Sequence, residues 1–465
     1  MALSYYRENE KTNNRNAKVS FLSCHFDFLP LTFTFLKMIE VSPFRGIFYN
    51  QGIVGDLARV LCPPYDVITP EQQKLYYEKS NYNAIRLEFP EPTGDSYQRA
   101  AITFQQWLNH GVLHLDSASS FYLHAHRFEY SGVEKVRRGL IAHVKLGPWG
   151  SGIYPHEETF PKAKGDRLQL MRACRANFSP LLSLYHDSEQ KIASILSEAS
   201  RAKPMIETSL TADSRQPTAN DEGQEAHTLW AITESEIKRE LSQFLSSQPL
   251  YIADGHHRYE TALTYQQERA EEQSLTGKGA FNYVMMELVD FSDPGLVVLP
   301  LQRLVRGIVP SILGGLEDQL RNFFVLESVP LKAGDCQLPT DSCLGILGLQ
   351  PGSLVVLKRR QDISLEAVMP GSRSQAYRQF NVSILNDIIL DKVLSRAKDL
   401  DVAYTVDLKE AYQQIKERKY QLAFLLNPPQ PEMVKAVADA QDRMPSKSTY
   451  FYPKLPAGLI INPLD

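Results

Sequence analysis

The amino-acid sequence predicts an α+β protein, on three observations. From Val41 to about Pro300 the chain alternates short apolar runs of strand type with loops and amphipathic stretches. Near its middle, strand, helix, strand and helix patterns follow one another, the last two joined by a glycine turn. From Leu301 to Asp465, apolar runs at 354–358 and 421–426 mix with helical patterns at 384–397 and 432–440. No repeat of fixed period is visible. The 465 residues suffice for two or three domains with ample core. The organisation read is an extension at 1–38, a first domain at 39–300 and a second α/β domain at 301–465.

The elements follow in order. Residues 7–18 are polar and charged, and 28–36 form a largely apolar run broken by Pro30. That run is too short to span a bilayer, so Met38 reads as the true start and the residues before it as an upstream extension. Pro63-Pro64-Tyr65-Asp66-Val67-Ile68-Thr69-Pro70 is a proline-braced turn, with Thr69 as N-cap and Pro70 as first residue of a helix. Asn83-Ala84-Ile85-Arg86-Leu87-Glu88 alternates, which would put Arg86 and Glu88 on one strand face as a cross-strand ion-pair site. Residues 121–128 and 139–146 read as strands, and 203–232 as a hairpin with a polar tip at 213–225. Thr233 and Glu236 form a capping box for a helix with Ile237, Leu241, Phe244 and Leu245 on one face. Leu250-Tyr251-Ile252-Ala253 reads as a buried strand, and 259–271 as a helix that packs through Tyr259, Ala262, Leu263 and Tyr265.

Composition excludes several functions. At 43% hydrophobic and 22% charged residues the chain is an ordinary globular protein. A formal charge of −4 without a Lys/Arg stripe argues against a nucleic-acid partner. Cys24, Cys62, Cys174, Cys336 and Cys343 are scattered, odd in number and without CxxC, which fits a reducing cytoplasm and excludes a cysteine zinc ribbon. No membrane partner is expected.

The densest chemistry lies at Asp254-Gly255-His256-His257-Arg258, between the buried strand and the helix. Glycine lets an anion approach the backbone there, and the first helical N–H groups lack intrahelical partners. His256, His257 and Arg258 supply donors, and Asp254 could bind a metal or accept a proton. A structural turn needs the glycine but not this charge, so the five residues point to phosphate handling. A second cluster runs His156-Glu157-Glu158-Thr159, then Lys164, Asp166, Arg167, Arg172 and Asn177. It lacks the second histidine of HExxH, so a zincin site is rejected; alone, it reads as solvated surface. Lys447-Ser448-Thr449-Tyr450-Phe451-Tyr452-Pro453-Lys454 is hydroxyl-rich and otherwise an edge strand with exposed lysines. His124 and His126 alternate on a strand with no third ligand nearby in sequence, and read as ordinary strand histidines. Gly277 and Gly279 do not make a P-loop, because no GxxxxGK[ST] occurs.

Tyr251-Ile252-Ala253-Asp254-Gly255-His256-His257-Arg258-Tyr259-Glu260-Thr261-Ala262 resembles the phosphate-binding strand–turn–helix of the ParB/sulfiredoxin fold. Sulfiredoxins carry Gly-Cys-His-Arg-Tyr there, ParB proteins Gly-Glu-Arg-Arg, and the archaeal free-serine kinase Asp-Gly-His-Thr-Arg. From Val41 onward the chain also resembles the bacterial and archaeal family called domain of unknown function 1015. The matching residues are Pro43-Phe44-Arg45-Gly46, Pro63 to Ile68, Ile85-Arg86-Leu87-Glu88, and His156-Glu157 with Thr159. Asp166-Arg167, Ala176-Asn177 with Ser179-Pro180, Asp254 to Arg258, and Lys447 to Leu455 complete the set. Three departures matter. His256 stands where sulfiredoxin has its catalytic cysteine, His257 stands where the serine kinase has threonine, and Gln302 precedes Arg303 where the family pattern has a histidine.

The resemblance implies a ParB/sulfiredoxin-like N-terminal domain with insertions. It also implies nucleotide-dependent phosphoryl transfer to a small hydroxylated metabolite, free serine being the acceptor the kinase kinship suggests. Gly255, His256, His257 and Arg258 would bind the phosphates of ATP or ADP. Asp254 would hold Mg²⁺ or orient the acceptor, and Glu157 would be the general base beside His256 and His257. His156, Thr159, Lys164, Arg167 and Asn177 would bind substrate. A ParB-like nucleotide-gated regulator and a phosphate-ester hydrolase are the alternatives. Oligomeric state is left open.

Overall fold

Two large sheets, of nine and six strands, carry most of the described residues together with the helices packed on them. The computed structural model describes residues 39–159, 161–210, 225–272, 279–331, 336–339, 344–394 and 400–465. The extension at 1–38, most of the hairpin tip at 213–225, Gly277, Cys24 and Cys343 lie outside them. Residues 37–465 fall in one compact unit.

The first sheet has nine strands. Its order runs Ile153–Tyr154, Leu250–Asp254, Leu181–Tyr185, Tyr283–Asp290, Val133–Lys145, Phe121–Tyr130, Glu225–Ile232, Ile206–Leu210. Val41–Ser42 also pairs with Val133–Lys145. Pairings are antiparallel except for two, Leu250–Asp254 with Ile153–Tyr154 and Tyr283–Asp290 with Leu181–Tyr185. Side chains alternate between faces, and both faces are buried here. Leu123, Leu140, Ala142, Ile252 and Met286 pack into one core cluster. Tyr122, Ile141, Leu229 and Met285 pack into another. Burial on both faces explains the near-continuous apolar run at Leu250–Asp254.

The second sheet, wholly antiparallel, runs Phe324–Pro330, Ser353–Arg359, Leu344–Leu347, Leu422–Leu425, Gln302–Arg306, Asp401–Thr405. Leu182, Leu184, Tyr251 and Ala253 of the first sheet share a core with its Val305, Leu344, Val355 and Phe424. The C-terminal segment returns to the first half. Tyr450–Tyr452 pairs with Val297–Leu299, and Asn462–Pro463 with Ala176–Asn177.

Several local expectations change. Ile85–Glu88 is a helical turn and not a strand; the Asn83 carboxamide oxygen accepts from the Ile85 N–H at 3.0 Å, which favours a turn over extension. The helix at Ser235–Ser246 has Glu234 at its N-cap without a side-chain cap bond, so Thr233 and Glu236 form no capping box. Asn381–Ile384 is α-helical and continues as a π-helix over Leu385–Val393. Thr69 does cap Pro70–Lys79, reciprocated by Gln72. Cys62 and Cys174 are buried free thiols, and Cys336 is buried. No described helix is long and apolar enough to cross a membrane.

Candidate active site

The strand Leu250–Asp254 runs in the sheet until its register breaks between Ile252 and Asp254. Gly255 follows with φ +96°, a backbone region that side-chain-bearing residues rarely enter. The helix His256–Glu272 begins at once. A Cβ on Gly255 would stand 2.9 Å from Leu181 Cγ and 3.1 Å from two Arg258 nitrogens. Glycine is thus required by backbone and by space. The helix packs against Pro161–Cys174, and its first turn, His256 to Arg258, borders a cleft.

The cleft encloses about 240 Å³. Its walls come from four distant stretches: Tyr65, Asp66 and Val67; Glu157 and Glu158; Asp254 to Arg258; and Ser446, Lys447, Thr449, Tyr450 and Lys454. Leu301 and Tyr404 of the second half complete it.

Asp254 is the electrostatic hub. Its Oδ2 accepts from Arg258 Nη2 at 2.8 Å, and Lys454 Nζ pairs with Oδ1. Burial opposes its ionisation, but Lys454 and Arg258 outweigh that and hold the carboxyl well below its usual range. With both oxygens engaged, Asp254 does not fit a resident Mg²⁺ as the side chains stand. Arg258 turns back into the fold, donating also to Ser179 Oγ at 3.0 Å and the Pro180 carbonyl at 2.7 Å.

The three histidines differ. His156 is buried, with Nδ1 donating to the Ile252 carbonyl at 2.7 Å and Nε2 2.9 Å from the Thr449 hydroxyl. His256 is buried too, and its Nε2 accepts the His156 backbone N–H at 3.2 Å. Burial, then the neighbouring His156, pushes His256 far below the ordinary histidine range, so it is a neutral brace and not a cation. His257 is half-buried; burial and then Lys447 lower its pKa, against the pull of Asp66, Glu260 and Glu157. It lines the cleft as a neutral imidazole at neutral pH.

Glu157 fastens the C-terminal segment. Its Oε1 accepts from the Ser448 and Thr449 N–H groups and the Thr449 hydroxyl, each at 3.0 Å, and Oε2 from the Lys447 N–H at 3.3 Å. From the other side Arg303 donates to the Lys447 carbonyl at 2.9 Å. Burial pushes that guanidinium down to about 10.

The substrate-binding candidates lie elsewhere. Thr159 and Lys164 donate to Glu260 at 2.7 and 2.8 Å. Arg167 stacks over the Tyr65 ring at 4.1 Å and donates to the Glu88 carbonyl at 2.6 Å. Asn177 accepts from Asn462 at 2.9 Å. These side chains and His156 hold the walls together and do not line the cleft. Asp66, Tyr404, Lys447 and Lys454 do line it; the sequence reading assigned no role to Asp66 or Tyr404 and carried the two lysines only as the ends of a hydroxyl-rich segment. The dense polar motifs around three of them were its only signal.

Residues 41–386 match the family described as "Protein of unknown function (DUF1015)". The chain belongs to that family. No curated protein matches it. Among solved structures, a conserved hypothetical protein from Pyrococcus furiosus is 14% identical, with 70% of this chain and 95% of that chain covered at a TM-score of 0.34. A free serine kinase in complex with AMP is 12% identical over 68% of this chain and 88% of its own, at 0.33. SbnI with C-terminal truncation, from Staphylococcus aureus, is 9% identical over 68% and 84%, also at 0.33. TM-scores of this size establish no common fold.

Proposed function

We propose that the cleft is a phosphoryl-transfer site that binds a nucleotide's phosphates at the helix start after Gly255 and passes one to a small hydroxylated metabolite. One observation carries the reading: a left-handed glycine and a helix N-terminus open onto a cleft whose lining includes Lys447, Lys454 and the neutral imidazole of His257. Oriented N–H groups and fixed cations are what phosphoryl transfer chiefly requires. At about 240 Å³ the space suits phosphates and a small acceptor, below the range of about 300–1,000 Å³ usual for larger ligands. The resemblance of residues 251–262 to the ParB/sulfiredoxin turn supports the same reading.

In this reading the N–H groups of His256 and His257 bind phosphate oxygens, and Lys447 offsets the charge that spreads over the transferred group. Lys454, anchored on Asp254, does the same from the opposite wall. His257 takes the proton of the acceptor hydroxyl, because its Nε2 or Nδ1 lone pair is present at neutral pH. Glu157 is committed to the 447–449 backbone, so it positions Lys447. Any Mg²⁺ arrives with the nucleotide as part of the substrate.

The test incubates purified full-length protein with Mg²⁺, ATP or ADP, and a panel of hydroxylated metabolites led by serine. Phosphorylated acceptor should form, and His257→Ala should abolish it. Phosphate release without acceptor would reassign the cleft to hydrolysis. Nucleotide binding without turnover would leave a regulatory role.

A further inference from the structure

A second charged cluster lies on the central sheet, among fully buried side chains. His124 and His126 sit two apart on Phe121–Tyr130 and so share a face; Glu225 and His227 do the same on the neighbouring strand. His126 and His227 are direct cross-strand partners, and Arg137 is opposite His126 on its other side. His124, His126, His227, Arg137 and Glu287 are 0% exposed, and Glu225 is 6%.

The hydrogen bonds within the cluster are directional. Glu287 Oε1 lies 3.1 Å from His124 Nδ1, and His124 Nε2 lies 3.0 Å from His227 Nδ1. A carboxylate accepts, so His124 donates to Glu287 and His227 donates to His124. That chain leaves the lone pair of His227 on Nε2, which is buried without a hydrogen-bond partner and stands 3.7 Å from Glu225 Oε1. His126 Nε2 lies 2.6 Å from the same oxygen. One ring nitrogen from each of His126 and His227 and one Glu225 carboxylate oxygen all fall within 4.8 Å of one another.

We propose that His126, His227 and Glu225 bind one divalent first-row transition-metal ion. Ligand atoms about 2.0–2.1 Å from a tetrahedral ion stand about 3.3–3.5 Å apart. The two separations of 2.6 and 3.7 Å straddle that value, so small side-chain shifts complete the set. Two imidazoles and one carboxylate suit zinc and its neighbours. The Glu287–His124–His227 chain is the outer support that such a ligand needs to fix its tautomer.

Arg137 Nη2 donates to His126 Nδ1 at 3.2 Å, so the ring proton stands on Nε2. Coordination through Nε2 displaces that proton to solvent and leaves His126 bound as an imidazolate, with no oxidant or reductant involved. Beside Glu225, a void of about 10 Å³ bounded by Cys62, Pro63 and Lys454 has room for about one water as a further ligand. The proposal is independent of the phosphoryl-transfer reading.

The experiment strips full-length protein with chelator, dialyses it against Zn²⁺ and counts bound metal. One equivalent is expected, with Co²⁺ giving visible ligand-field bands in its place. His227→Gln and Glu225→Gln should weaken binding more than about 100-fold, Glu287→Gln by about 10–100-fold, and His257→Ala not at all. X-ray absorption on the wild-type zinc protein should show imidazole nitrogens around the ion, a readout that survives if the variants fail to fold. Less than a tenth of an equivalent bound, undiminished binding in His227→Gln, or a zinc shell without imidazole would each overturn the site.

Discussion

The cleft beside Gly255 and the cluster beside His227 each gather carboxylates, histidines and cations, yet they manage charge in opposite ways. In the cleft, Asp254 sits between Lys454 and Arg258, and the remaining charges face space that a ligand can enter. On the sheet, the same residue types are sealed, and each charge must be compensated by a neighbour in the wall. Buried polar groups without partners are costly. The orphaned Nε2 of His227 therefore carries more meaning than a half-exposed histidine would.

The contrast breaks most easily at Asp254. Asp254→Asn leaves Lys454 and Arg258 without their shared carboxylate, and removing one member of a buried ion pair costs about 3–5 kcal/mol. Urea unfolding measures it; a loss under about 1 kcal/mol would show that water already screens the cleft and that the two regions do not differ. Acid should act next. Burial holds His143 down to about 4 and lowers His156, His256 and His257. The unfolded chain takes up protons near pH 6.5 that the folded chain refuses. Stability is therefore full above that pH and falls as pH drops from 6.5 toward 4. His143 alone contributes about 3 kcal/mol of that fall, which melting curves at pH 7.5, 6 and 5 would follow.

Two glycines sharpen the comparison. Gly139→Ala would put a Cβ 2.3 Å from Glu287 Oε1; the displaced carboxylate should cost about 1–3 kcal/mol and leave nucleotide binding intact. Gly255→Ala forces a side chain into a strained backbone region at a similar cost of about 1–3 kcal/mol, and nucleotide affinity should fall with it. Equal affinity in both variants would detach the phosphate site from the turn. The smallest structural effect belongs to His257→Ala, within about 0.5 kcal/mol of wild type. Turnover should nevertheless drop by about 10²–10⁴. The wild-type acid limb should lie below the ordinary histidine pKa.

What the sequence alone determined was local. The strands beginning at Phe121, Leu250 and Ser353, the helix after Gly255 and the Thr69 cap were legible, because burial period, glycine and capping chemistry act within a few residues. Ile85–Glu88 misled, since alternation over six residues also fits one helical turn. Tertiary structure alone decided what assembles around the Gly255 turn and within the sheet cluster. Lys454 reaches Asp254 across 200 positions, and His126 meets Glu225 across 99. Pairing of strands and the return of the C-terminal segment bring such groups together, and long-range pairing leaves no periodic trace in the chain. His124 and His126 therefore read as ordinary strand histidines until a neighbouring strand brought Glu225 and His227 to the same face.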